Sequence, residues 1–139
     1  DKYELIEWII KSELLEPIKP LLNAGMIFEA IVLMLNNISA NSVFYKKALK
    51  LEGAVTFNQI AMKCVYEMFM NIISEKSTGK KSKYRWLTPE VISTYYAQSL
   101  CFITEGWIAQ GMDDIEPKEM AEAYMYLITR SMDDILSEL

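Results

Sequence analysis

Between Thr88 and Gly111 the chain runs TPEVISTYYAQSLCFITEGWIAQG, and after Glu90 its only charged residue is Glu105. Thr88, Pro89 and Glu90 form a helix start: a side-chain oxygen for a free amide, a proline where no amide donor is needed, and a carboxylate at the positive end of the dipole. The pattern predicts helix to about Gln110, with Gly111 beyond it. A helix that is apolar nearly all round is buried nearly all round, and this constrains everything else. One stripe holds Ile92, Tyr96, Ser99, Ile103 and Trp107; a second holds Val91, Tyr95 and Phe102 and continues into Gly106. Glycine inside a helix costs about 1 kcal/mol relative to alanine, so Gly106 needs a packing reason, and close approach of another backbone is the usual one.

The remaining segments follow helical periodicity as well. Helix is expected over 2–15, with Pro17 and Pro20 interrupting the hydrogen bonding and bending the chain. LLNAG ends a segment, Asn23 or Gly25 taking the left-handed cap. From about Met26 to Ile38, Ile27, Ala30, Ile31, Met34, Leu35 and Ile38 form a buried stripe. Asn41 is placed to cap a short helix, 42–51. Thr56 and Gln59 have capping-box spacing and start a helix that should reach about Lys76. Residues 77–87 form a solvated loop. Pro117 opens a last helix running to the end of the chain. Glu116 is a poor cap, so Asp113 or Asp114 is expected to help. No strand signal or repeat is present, and the expected fold is all-α, with about six helices in a single domain, 1–139.

Composition removes several classes of chemistry. Apolar residues make up 52 % of 139, enough for a real core. No apolar run reaches the roughly 20 residues of a membrane span, and Asp1 and Glu4 stand where a signal peptide would be basic. The chain opens without Met, and a longer parent is expected. Histidine is absent, which removes the commonest general base and metal ligand. Cys64 and Cys101 lie in apolar helical contexts and are expected to be buried thiols, consistent with a reducing cytoplasm. Asp113–Asp114 and Asp133–Asp134 are neighbours in sequence and do not face one another on a helix. No glycine-rich phosphate loop exists. An enzyme, a metal site and a cofactor are therefore not expected. Net charge is −5, yet residues 76–85 carry five basic residues and no acid, leaving nine basic against nineteen acidic elsewhere. Such a surface repels nucleic acid, so any DNA contact belongs to residues outside this chain.

The last helix repeats the apolar theme, with Met120, Tyr124, Leu127, Ser131 and Ile135 on one seam and Ala121, Met125, Ile128, Met132 and Leu139 on another. A domain this small cannot easily wrap two such helices. The economical arrangement is a homodimer in which two helices from each copy form a four-helix bundle across a two-fold axis. Ile92, Tyr96, Ile103, Gly106, Trp107, Met120, Tyr124, Leu127, Ser131 and Ile135 are the candidate interface. Gly106 and Ala109 would permit close backbone approach; alternatively, Gly106 accommodates a large neighbour within one subunit.

Three segments carry a family resemblance. DKYELIEWI at 1–9 is similar to the junction at which a helix-turn-helix gives way to the next helix in TetR-family transcriptional regulators. NSVFYKKALKLEGAVTFNQ at 41–59 and YYAQSLCFITEGWIAQGMDDIEPKEMAE at 95–122 resemble the subgroup that includes regulators of dihydroxyacetone kinase genes. The resemblance spans essentially the whole chain, in order. Glu116 departs from the Ser, Thr or Asp often found there, and a glycine frequent early in the penultimate helix falls near Ser99. The resemblance implies a C-terminal regulatory and dimerisation domain, with a DNA-reading helix-turn-helix upstream of Asp1. Helix 2–15 would be the lever between them. A dimer would then meet DNA half-sites about 34–36 Å apart, and an effector acts by favouring one arrangement over the other.

A small, mainly apolar effector is expected between the helices at 26–38, 56–76 and 88–110. Met34, Phe57, Asn58, Ile60, Ala61, Cys64, Val65, Met68, Tyr95, Ser99 and Phe102 are the candidate lining; Asn58, Tyr66, Tyr95, Ser99 and Thr104 are polar groups that could orient it. Nine methionines suit an adaptable apolar site. Because some members of the dihydroxyacetone-related subgroup work through a protein partner, an adaptor without a small-molecule pocket is the alternative.

Overall fold

Asp1 caps the first helix with a reciprocal capping box: its carboxylate accepts from the Glu4 amide, and Glu4 returns to the N-cap. In the computed structural model, which describes residues 1–139, the chain then forms α1 (Lys2–Ile9), α2 (Lys19–Asn23), α3 (Ile27–Ala40), α4 (Ser42–Leu49), α5 (Phe57–Lys76), α6 (Pro89–Ala109), α7 (Pro117–Thr129) and α8 (Met132–Glu138), with no strand. The all-α expectation holds. The excess over six helices comes from the five-residue α2 and from a break in the last helix.

Between α1 and α2 the backbone changes winding twice. Ile10–Leu15 is π-helical, the Glu16 amide reaching back to Lys11, and Glu16–Ile18 is a 3₁₀ turn. Pro17 has no amide hydrogen, so the Glu13 carbonyl loses its ordinary helical donor. The Asn37 side chain on α3 supplies one instead, at 3.1 Å. The Glu13 carboxylate in turn accepts from the fully buried Tyr45 hydroxyl and from Asn41. Asn41 is therefore occupied with Glu13 and makes no side-chain cap for α4; the cap expected there is absent.

Gly25 (φ +76°) takes the left-handed position and Asn23 stays helical; Met26 donates to Leu21 and Gly25 to Leu22, closing α2 as a Schellman motif. Along α3, Ala30, Ile31, Met34, Leu35 and Ile38 are buried, whereas Ile27 at its exposed first turn is not. A bend of 89° then leads into α4. The Thr56–Gln59 box and the Thr88 cap form as the spacing requires. Glu116 caps nothing with its side chain, and neither Asp113 nor Asp114 replaces it. The segment 117–139 is not one helix. Arg130 and Ser131 are extended, and Ser131 accepts from the Asp134 amide to start α8.

One cluster of 25 buried residues forms the core. The long pair α5–α6 is its spine. The α1–π segment and α3 cover one side, α7 lies on α3, and α4 packs against α6. Ion pairs tie the first helix to α5: Glu7 with Lys63 at 2.8 Å, and Lys11 with Glu67 at 3.4 Å. No single helix is long and apolar enough to cross a membrane.

Candidate functional site

A cavity of about 220 Å³ lies where α2, α3, α5, α6 and α7 converge. Ile18 and Leu22 close it from the kinked end of the N-terminal segment, Ile27, Ile31 and Met34 from α3, and Met68 and Phe69 from α5. Tyr96 and Leu100 come from α6, Tyr124 and Ile128 from α7. Every lining residue is apolar or aromatic. The Tyr124 hydroxyl is engaged with Ser99 at 2.8 Å, and burial pushes its pKa up.

A second, smaller cavity of about 30 Å³ lies on the other side of Met34 and Leu100. The π segment covers it with Ile10, Leu14 and Leu15, and Phe57, Ala61 and Val65 wall it from α5. Its polar groups all come from α6: Cys101, Thr104 and Glu105. Burial raises the Glu105 carboxyl pKa, opposed by the Asn58 amide that donates to it at 2.6 Å.

The candidate lining thus divides. Met34 touches both cavities, Met68 the larger, and Phe57, Ala61 and Val65 the smaller. Ile60 and Cys64 are buried in the core beside them. Ser99 lines neither cavity and instead bonds the Tyr124 hydroxyl, and three further candidates lie outside. Asn58 is on the surface with Glu105, and Tyr95 and Phe102 are 66 % and 77 % exposed. Their stripe of α6 is its outer one, Phe102 lying at the edge of an open depression shared with Asn58 and Met62 of α5. Ile18, Leu22, Tyr96, Leu100, Tyr124 and Ile128 were absent from the expected lining. Their signal was faint: Tyr124 and Ile128 share a turn-spaced stripe on α7, and Ile18 and Leu22 sit on the two proline-marked turns.

The interface candidates divide as well. Trp107 and Tyr124, at 3 % and 4 % exposed, are core residues of the subunit and cannot form a seam. Trp107 donates its indole N–H to the Ile115 carbonyl at 2.8 Å, pinning the loop in which Gly111 and Met112 both have positive φ. Ile92, Ile103, Met120 and Ile135 are half-buried, and Tyr96, Leu127 and Ser131 are exposed. At Gly106 an added Cβ would meet nothing within 4 Å, so no neighbour inside the subunit explains this glycine. It lies on the outer stripe with Tyr95, Gln98, Phe102 and Ala109. That stripe borders two open depressions, of about 660 Å³ beside Trp86 and Leu87 and about 470 Å³ beside Leu49 and Met62.

Burial raises the Cys64 and Cys101 thiols to about 11 and about 12, so neither is a thiolate at neutral pH. No three potential metal-ligating side chains converge.

The domain is all-helical, with an apolar chamber beside a kinked N-terminal helix. The sequence matches the family profile described as the transcriptional regulator C-terminal region, of TetR type, over residues 26–130; the chain belongs to this family of TetR C-terminal domains. No curated protein and no solved structure matches it significantly.

Proposed function

We propose that this chain is the effector-sensing and dimerisation domain of a TetR-like DNA-binding regulator acting in the cytoplasm, with its helix-turn-helix encoded before Asp1. The observation that carries the sensing half is the 220 Å³ apolar chamber, whose lining includes Ile18 and Leu22 at the end of the lever. A small apolar molecule there touches the lever and the core at once, so its binding energy can differ between two lever positions. Segments 41–59 and 95–122 support kinship with the dihydroxyacetone-kinase-regulator-like subgroup.

The dimerisation half rests on the outer stripe of α6. Tyr95, Phe102 and Trp86 are mostly exposed in a single copy, and a contiguous apolar patch of this kind marks an interaction site. Gly106 and Ala109 lie where a second backbone can approach. Leu127 on α7 and Met132 and Leu136 on α8 extend the exposed apolar surface. The seam proposed here therefore keeps Gly106 and Leu127 and replaces Trp107 with Phe102.

Native mass spectrometry of protein purified from cells tests both halves. A two-copy mass with a co-purified small molecule supports the reading. The same exposed stripe favours a second reading, an adaptor that docks a different protein. A single-copy mass at micromolar concentration with no bound small molecule would select that reading.

A further inference from the structure

Met34 and Leu100 line both cavities. The two spaces are thus separated by little more than a thioether and an isobutyl group. The smaller one has a polar end, formed by Cys101, Thr104 and Glu105. Thr104 is 9 % exposed, and its Oγ1 has no hydrogen-bond partner. Threonines in helices ordinarily return their hydroxyl to the carbonyl four residues back. Thr94 does so to Glu90, and Thr129 to Met125. A buried hydroxyl left unpaired is destabilising, and this one borders an empty space.

We propose that the two cavities are one ligand site divided by Met34. Its ligand is an uncharged, chain-like apolar molecule ending in a single hydroxyl or carbonyl, with that end bonded to Thr104 and the chain in the larger chamber. This rests on the sensor reading above. The chamber suits an apolar body: every lining residue is apolar or aromatic, and of its two tyrosines Tyr124 has its hydroxyl engaged by Ser99. The smaller space, about 30 Å³, is enough for a water-sized group, so it can take a terminal hydroxyl or carbonyl. No basic side chain lines either space, and the Glu105 carboxyl borders the smaller one, so an anionic end is disfavoured. Threonine can donate or accept, which suits a hydroxyl or a carbonyl. Methionine is unbranched and adaptable, so Met34 can turn aside to join the spaces. The polar end would then lie directly under Ile10 and Leu14 of the π segment.

The test uses the full chain with 1-octanol, n-octane and octanoate, compared by thermal shift and titration at equal fractions of saturation. Wild type is expected to prefer 1-octanol over n-octane by about two- to tenfold, the worth of one neutral hydrogen bond, and to bind octanoate least. Thr104→Val, which keeps the shape and removes the hydroxyl, should abolish the preference while leaving n-octane binding unchanged; Thr104→Ser should retain it. Met34→Ile, stiffer at χ1, should shorten the best-binding chain in a series from 1-hexanol to 1-dodecanol. Equal binding of octanol and octane, or a preference that survives Thr104→Val, would overturn the proposal and leave the sensor reading standing. The second result would show that Thr104 serves only an ordered water. Failure of all three probes to bind wild type would overturn the proposal together with the apolar-effector reading.

Discussion

The two sides of α6 differ in a direction opposite to simple hydrophobic sorting. Its buried side carries mostly small or compact groups: Ser93, Ala97, Leu100, Cys101, Thr104 and Ile108, with Trp107 as the one large exception. Its outer side carries Tyr95 and Phe102. The reason is distance. α5 lies close along α6, with Ala61 and Val65 near Cys101 and Thr104 around the smaller cavity, and small residues let the two backbones approach. The rings of Tyr95 and Phe102 lie outside that close contact and face outward. Within α6, then, side-chain size rather than hydrophobicity separates the buried side from the exposed one.

The largest expected effect belongs to the exception. Trp107→Ala removes a buried indole and the clasp to Ile115, and should cost about 3–5 kcal/mol of folding stability, measured by denaturant unfolding. A loss below that of an outer-face substitution would break the contrast. Next, Phe102→Ala should leave the subunit's own stability nearly unchanged but weaken self-association by about 2 kcal/mol, roughly thirtyfold. Sedimentation over a concentration series checks this, and an unaltered dimer would remove Phe102 from the seam. Third, Thr104→Val should stabilise the ligand-free protein by about 1 kcal/mol, since it removes an unpaired buried hydroxyl. A destabilised variant would show that the hydroxyl has a partner.

The smallest effect concerns Glu105, at the rim between the two sides. Its folded-state pKa is raised by burial, so the folded protein holds this proton more tightly than the unfolded chain does. The associated stability is present below the ordinary glutamate range and is lost as pH rises through the elevated value. Glu105→Gln, which keeps an acceptor for Asn58, should therefore flatten the stability–pH profile in that window and give a slight gain at neutral pH. Half-exposure keeps the effect small. An unchanged profile would place the carboxylate in water.

Local chemistry was legible wherever a residue acts on its own neighbourhood. Thr56 with Gln59, Thr88 with Pro89, and Gly25 behaved as their spacing and conformational preferences require. The α3 stripe was also readable, because Glu29 and the Asn36–Asn37 pair break its apolar run and set its phase. On α6 the same method failed. A wheel apolar on nearly every side has no phase, so the stripes containing Trp107 and Phe102 were equally good seams until α5 and α7 were in place. The break at Arg130 was missed for a related reason. Ser131 and Asp134 have cap-to-N3 spacing, but the apolar rhythm of Leu127, Ile128 and Met132 runs through it and hides it. The smaller cavity was invisible, since it depends on a π-helical winding that no local pattern announces.

The bond from Asn37 to the Glu13 carbonyl has a mechanical meaning. Asn37 stands about one turn beyond Met34 on the same rigid rod, and it grips the first helix at the point where Pro17 has left it slack. The chamber wall at Met34 and the hold on the Glu13 carbonyl thus belong to one helix, with a carboxamide as the pin to the first.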